Sequence, residues 1–278
     1  MKWFKQNLIV VLMSVLIFGA TSSRADTQFR IIVDASGSML MSDPDKLTSE
    51  ALRLISNLAP EEHATLGIWL FGETPRVLLP EDRINKATKA KLSQYVDSYA
   101  TEDLNTDLEA IIALLLNTPD QGELEPGFDR HWILVTDGMV DISLDEEVNK
   151  ASRERILYEL TTRLEEQGIH LHTISMTGYT DKALLKSLSL KTNASHVEVA
   201  APEDLLDTFE RIFTQASPSE ELPFDGNRFS VDEAIEELTL VVFHRAGEQP
   251  EIITPTGREL PLTNAQGVSI AASSHYTL

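Results

Sequence analysis

Five oxygen-bearing side chains in this sequence could together hold a hard divalent cation. Asp34, Ser36 and Ser38 alternate in Asp34-Ala35-Ser36-Gly37-Ser38, directly after a β-branched apolar run. A tight turn there presents one carboxylate and two hydroxyls on one concave loop, and Gly37 lets the backbone fold back. Thr106 adds a third hydroxyl at the start of a helical stretch. Asp137, in Thr136-Asp137-Gly138, adds a second carboxylate at the end of another apolar run. Mg²⁺ takes oxygen ligands in near-octahedral geometry and keeps some water, which a few carboxylates and neutral hydroxyls can satisfy. An Asp-x-Ser-x-Ser turn alone is usually a turn capped by its own side chains. The specificity lies in the order of the three segments within an α/β pattern.

Other chemistry-bearing residues read more plainly. His170 and His172 alternate on an apolar run and read as packed or edge residues of a strand, not as a metal pair. Asp141 and Asp145 read as charges at a helix N-terminus, where the macrodipole favours them. Asp107 either caps a helix or competes as a ligand, and Thr101 is an alternative hydroxyl. Trp69 and Trp132 read as packing. No Gly-x-Ser-x-Gly elbow is present and no histidine is placed to serve Ser36. An enzyme is not expected; a metal-dependent hydrolase is the least favoured reading.

The elements that must position these residues follow from periodicity. Strands are expected at 29–33, 65–71, 132–136, 169–176 and 196–199, with a short antiparallel edge strand at 76–79. Helices are expected at 46–58, 87–99, 107–116, 181–190 and 202–213, with a long charged one at 144–167 stopped by Gly168. In the first, Leu47, Ala51, Leu54, Ile55 and Leu58 share one face. Strands and helices alternating at this spacing predict an α/β fold: a doubly wound, mostly parallel sheet with helices on both faces. Ligands bind beyond the carboxyl ends of such strands, where Asp34 and Asp137 stand. Residues 216–228 read as a linker. Beyond it the stretches at 229–232, 238–243 and 251–254 read as strands of a small β-rich domain, 229–278, either incomplete or a short appendage.

On the motif Asp34-x-Ser36-x-Ser38, then Thr106, then Asp137, the chain resembles the von Willebrand factor A family over residues 28–215. The resemblance implies that family's Rossmann-like fold and its metal-ion-dependent adhesion site, with Asp34, Ser36, Ser38, Thr106 and Asp137 as the metal residues. It implies direct coordination by Ser36, Ser38 and, in the engaged state, Thr106, and coordination largely through water by Asp34 and Asp137. It leaves one position for an acidic side chain of a protein partner, and implies Mg²⁺, with Mn²⁺ or Ca²⁺ as alternatives. Two departures stand out. Leu104-Asn105-Thr106 replaces a frequent Gly two residues before the Thr, and Met39 and Leu40 stand where some relatives carry a second, acidic cation site.

Composition sets the boundaries. The chain has 278 residues, 42% hydrophobic and 24% charged, with a net charge of −21. That charge repels nucleic acid. With no cysteine, disulfides, thiol chemistry and a lipoprotein anchor are excluded. Lys2 and Lys5 before an apolar run at 8–18, then Ser23-Arg24-Ala25, read as a signal peptide over 1–25 cleaved before Asp26. The expectation is a periplasmic or secreted, cation-dependent binding protein. The alternatives are an uncleaved inner-membrane anchor and a subunit or assembly factor of a membrane-associated complex.

Overall fold

The computed structural model of the protein describes residues 13–17, 26–59, 61–96, 99–122, 124–176, 180–200, 204–216, 220–222, 225, 228–232, 238–265 and 268–278. They form two compact units, Ser23–Pro218 and a second made of Met1–Ser22 with Ser219–Leu278. In chain order the elements begin with β1 (Met13–Ile17), β2 (Thr27–Asp34), α1 (Met39–Ser42), α2 (Leu47–Leu58), β3 (Ala64–Phe71) and β4 (Arg76–Arg83). They continue with α3 (Lys86–Tyr95), α4 (Leu108–Leu116), β5 (Asp129–Thr136), α5 (Glu146–Arg155), α6 (Thr161–Glu166) and β6 (Ile169–Met176). Then follow α7 (Lys182–Lys191), β7 (His196–Val199), α8 (Leu205–Ala216), β8 (Glu220–Glu221), β9 (Leu238–Phe243), β10 (Ile252–Ile253), β11 (Glu259–Leu260) and β12 (Tyr276–Thr277).

The larger unit is built on a six-stranded sheet in the order β4-β3-β2-β5-β6-β7. All pairings are parallel except β3 with the edge strand β4. Every residue of β2 and of β3 is buried, as expected of strands covered on both faces. Helices α4, α6 and α7, together with the stretch Ile156–Leu160, enclose one face, with Ile32, Trp132, Leu134, Ile111, Ile156 and Leu188 in one apolar cluster. On the other face α2 packs against α8, and Phe213 of α8 stacks on Phe29 at 5.0 Å.

Three features depart from the sequence expectations. The helix expected over 144–167 is interrupted: α5 and α6 are joined by one π-helical stretch, Ile156–Leu160, and Thr161 Oγ1 donates to the Ile156 carbonyl at 2.7 Å. Inserting one residue per turn there keeps both Ile156 and Leu164 buried. Arg30, the one charged residue of the run read as a buried strand, is buried with its guanidinium between Trp69 and Trp132, 5.6 Å from each ring. It pairs with the equally buried Glu81 at 2.9 Å and donates to the carbonyls of Leu115, Thr118 and Pro119. Residues 229–232, expected as a strand, are irregular.

The smaller unit holds an antiparallel sheet in the order β12-β9-β1-β8 and a separate β10-β11 hairpin. Here β1, from the middle of the apolar run at 8–18, pairs along its whole length with β9. The rest of the expected signal peptide, 1–12 and 18–25, lies outside the described residues, as does most of the expected linker. Among the described residues no helix is long and apolar enough to cross a membrane.

Candidate metal centre

The sheet order places β2 and β5 side by side, with the chain leaving β2 towards β3 and leaving β5 towards β6. This is the topological switch point of a doubly wound sheet, where loops diverge and open a crevice. Asp34 closes β2 and is fully buried. Its Oδ1 accepts from the Ser36 N–H at 2.8 Å, and its Oδ2 from Thr136 Oγ1, at the end of β5, at 2.5 Å. Burial pushes the Asp34 carboxyl up to about 6, against the opposing pull of the Thr136 and Ser36 hydrogen bonds.

Ser36 Oγ lies 3.0 Å from Ser38 Oγ, and Ser38 Oγ donates to Asp137 Oδ1 at 2.7 Å. The other Asp137 oxygen accepts from the Ser42 hydroxyl of α1. Thr106 is fixed by a two-way backbone bridge to Asp141, with its N–H on the Asp141 carbonyl at 2.7 Å and the reverse bond at 3.2 Å. A β-carbon built on Gly138 would stand 3.3 Å from Thr106 Oγ1 and 3.7 Å from Asp34 Oδ2. The glycine keeps the space between these two oxygens open. Ser36, Ser38, Thr106 and Asp137 line one cavity of about 1210 Å³, with Asp34 beneath it. The three segments therefore converge as their order in sequence suggests.

The loop before Thr106 is held without the frequent glycine. Asp103 bridges to Ser36, its N–H on the Ala35 carbonyl and its carbonyl accepting from Gly37. Its carboxylate takes two bonds from Arg76, at 2.6 and 3.0 Å, and one from the Glu73 N–H. Glycine is required instead at position 72, where a β-carbon would come within 2.1 Å of the Asp103 carboxylate. Neither Asp103 nor Ser42 was legible as a site residue. An Asp between a Glu and a Leu, or a Ser in a four-residue helix, carries no pattern of its own.

The remaining candidates fall into place. Asp107 caps α4, accepting from the Ala110 N–H at 2.9 Å, and Asp145 caps α5, accepting from Glu147. Asp141 is not a helix-start charge; its backbone carries the Thr106 bridge and its side chain lines the cavity. Thr101 is buried and does not line the cavity. His170 and His172 belong to a histidine row at the opposite end of the sheet, with His131 stacked 5.0 Å from His170 and bonded to His172 at 3.0 Å. Among the described residues no group of three or more His, Asp or Glu side chains is placed to hold a metal.

The donor set fits a hard cation. All candidate ligand atoms are oxygens, and among the described residues no Lys or Arg pairs with Asp34 or Asp137. With Mg–O bonds of 2.0–2.1 Å, adjacent octahedral ligands stand about 3 Å apart. The Ser36–Ser38 and Ser38–Asp137 spacings of 3.0 and 2.7 Å are close to this.

Comparison with known proteins bears on the fold. The von Willebrand factor type A domain, as a family, matches residues 30–211. No curated protein matches the chain. A von Willebrand factor type A structure from Catenulispora acidiphila is 15% identical, with a TM-score of 0.58 over 78% of this chain and 52% of that one. Proximal thread matrix protein 1 from the mussel byssus, described with a zinc-occupied MIDAS motif, is 13% identical, with a TM-score of 0.55 over 70% of this chain and 48% of that one. The conserved hypothetical protein BatB from Bacteroides thetaiotaomicron is 14% identical, with a TM-score of 0.51 over 69% of this chain and all of that one. The chain thus spans about half the length of the first two.

Proposed function

The chain belongs to the von Willebrand factor type A family, and on that premise we propose that it is a divalent-cation-dependent protein-binding module whose cation engages a carboxylate of the partner. The observation that carries this reading is the convergence of Ser36, Ser38, Thr106 and Asp137 on one open cavity above the buried Asp34. Ser36, Ser38 and Thr106 would hold Mg²⁺ directly, with Asp34 and Asp137 behind them. The cation supplies a positive centre for an anionic partner group. The chain supplies the rest: neutral hydroxyls that leave that charge uncancelled, and a rigid strand-end frame that fixes where it sits. The mussel protein's zinc-occupied motif supports a metal at this place in the fold. The leader-like N-terminus supports a periplasmic or secreted setting.

Calorimetric titration of the full chain with Mg²⁺ and Mn²⁺ tests the reading. One-site uptake is expected for the native chain, and none for Asp34→Ala with unchanged circular dichroism. Absence of uptake by the native chain, or undiminished uptake by the variant, overturns it.

A further inference from the structure

Three large apolar side chains are the most exposed among the described residues: Leu144 at 106%, Met41 at 88% and Leu104 at 84%. All three sit on the segments that carry the candidate ligands. Met41 follows Ser38 on α1, Leu104 precedes Thr106, and Leu144 follows Asp137 and the Asp141 bridge. Leu40 and Met139, also exposed, lie on the same segments. Leu104, Met139 and Leu144 line the cavity together with Ser36, Ser38, Thr106 and Asp137. Single exposed apolar residues are ordinary, but a cluster around one polar centre marks a contact surface.

The charges of the same cavity restrict what can sit there. Arg153 is bound to Asp181 at 2.5 Å, Lys182 to Glu198 at 2.6 Å and Lys150 lies 3.8 Å from Glu147. Arg153 and Lys182 of the cavity wall are thus already bonded to acids of this chain, and Lys150 has one beside it. The whole chain carries −21, so a run of acidic residues would be repelled everywhere except at the metal. A single carboxylate is the charge this surface can take. The cavity, at about 1210 Å³, exceeds the roughly 300–1,000 Å³ of a usual small-molecule site, which suits a stretch of polypeptide.

We infer that the partner surface is a protein segment presenting one isolated Asp or Glu flanked by bulky aliphatic or methionine side chains, which pack on Leu104, Met139 and Leu144. The inference rests on the cation-site reading above and adds the chemistry around the carboxylate. Leu104 and Leu144 make the contacts that distinguish such a segment from a merely acidic one. Burying them, not the metal bond, then sets which acidic proteins are accepted.

The probe is a displayed library of random dodecapeptides, selected on the full chain in Mg²⁺ and again in chelator. The metal-dependent pool is expected to carry one acidic residue with Leu, Ile, Met or Phe within two positions on each side. Binding of the enriched peptides is expected to fall at least about tenfold on Leu104→Ser/Leu144→Ser, as for loss of interface anchors, and to survive on Leu104→Met/Leu144→Met. Cation uptake is measured on both variants; should the double serine variant lose it, Leu144→Ser alone is read. A metal-dependent pool that is acidic without apolar flanks, or that binds the serine variant undiminished, overturns the inference and leaves the cation site standing. A chain that takes up cation yet enriches no peptide also overturns it. Failure of cation uptake by the native chain removes the underlying reading as well.

Discussion

Asp34 illustrates how a residue of the candidate site works against the fold that carries it. Its carboxyl has an ordinary value near 3.8 and is raised by burial to about 6. An acid whose folded value lies above its unfolded value binds its proton more tightly when folded. Stability is therefore highest at low pH for this group and is lost as pH rises from 3.8 through 6. At neutral pH the charged form costs roughly 3 kcal/mol. Asp34→Asn is expected to raise the urea midpoint at pH 7.5 in chelator, by up to about 3 kcal/mol in stability, while removing any stabilisation by Mg²⁺. An unchanged or lowered midpoint in chelator would show that Thr136 and Ser36 already offset the burial. The candidate residues were readable because Asp34, Ser36, Ser38 and Asp137 follow strand ends in sequence and Thr106 opens a helix. Ser42 and Asp103 were not, because their roles come from loops meeting across the chain.

At the scale of elements, two pieces of the sheet hide polar groups that a hydrophobic pattern cannot disclose. The sequence at 29–33 reads as a strand because four of five residues are apolar, and it is one. Yet Arg30 faces inwards, because two tryptophans from the flanking strands, the Leu115 carbonyl of α4 and the Thr118 and Pro119 carbonyls after it surround its guanidinium. Arg30→Met leaves Glu81 buried without its cation and is expected to cost about 3–5 kcal/mol; Arg30→Met with Glu81→Leu should recover most of it. Equal losses in the single and double variants would argue against the pair.

The second piece is the histidine row of β5 and β6. Burial, with the charge of neighbouring histidines, lowers His131 to about 4 and His172 to about 3, from an ordinary 6.5. Neutral when folded, they favour the native state fully above pH 6.5, and this contribution is lost as pH falls from 6.5 towards 4 and 3. The slope is about 1.4 kcal/mol per pH unit for each histidine. His131→Phe, beside Phe29, should roughly halve this loss between pH 6.5 and 4.5 in urea titrations. An identical pH profile would place the acid sensitivity elsewhere. The alternation of His170 and His172 marked a strand; only the register of β5 against β6 brings His131 to them.

For the whole molecule, the α/β alternation was legible almost element by element, because the large unit buries complete strands and one-sided helices. The smaller unit was less so. Its strands are two to six residues long, too short for period alone to define. Its sheet also recruits β1 from the opposite end of the chain, within residues read as a signal peptide. Deleting residues 1–25 is expected to leave cation uptake by the larger unit intact and to speed amide exchange at 238–243, where β9 loses a neighbour. Exchange there that is no faster would mean that β9 does not depend on β1.

Asp34 and Asp137 reach the same crevice from adjoining strands, although Ser38 and Asp137 stand 99 residues apart. No fragment ending before β5 can assemble the pocket, and no local hairpin can nucleate it. At the proposed site, a divalent cation would thus not template an early folding step; it would only ratify a finished one. On that proposal, capture of the ion would be a certificate that the central strands have docked, and a partner that gripped the chain through it would pass over misfolded copies.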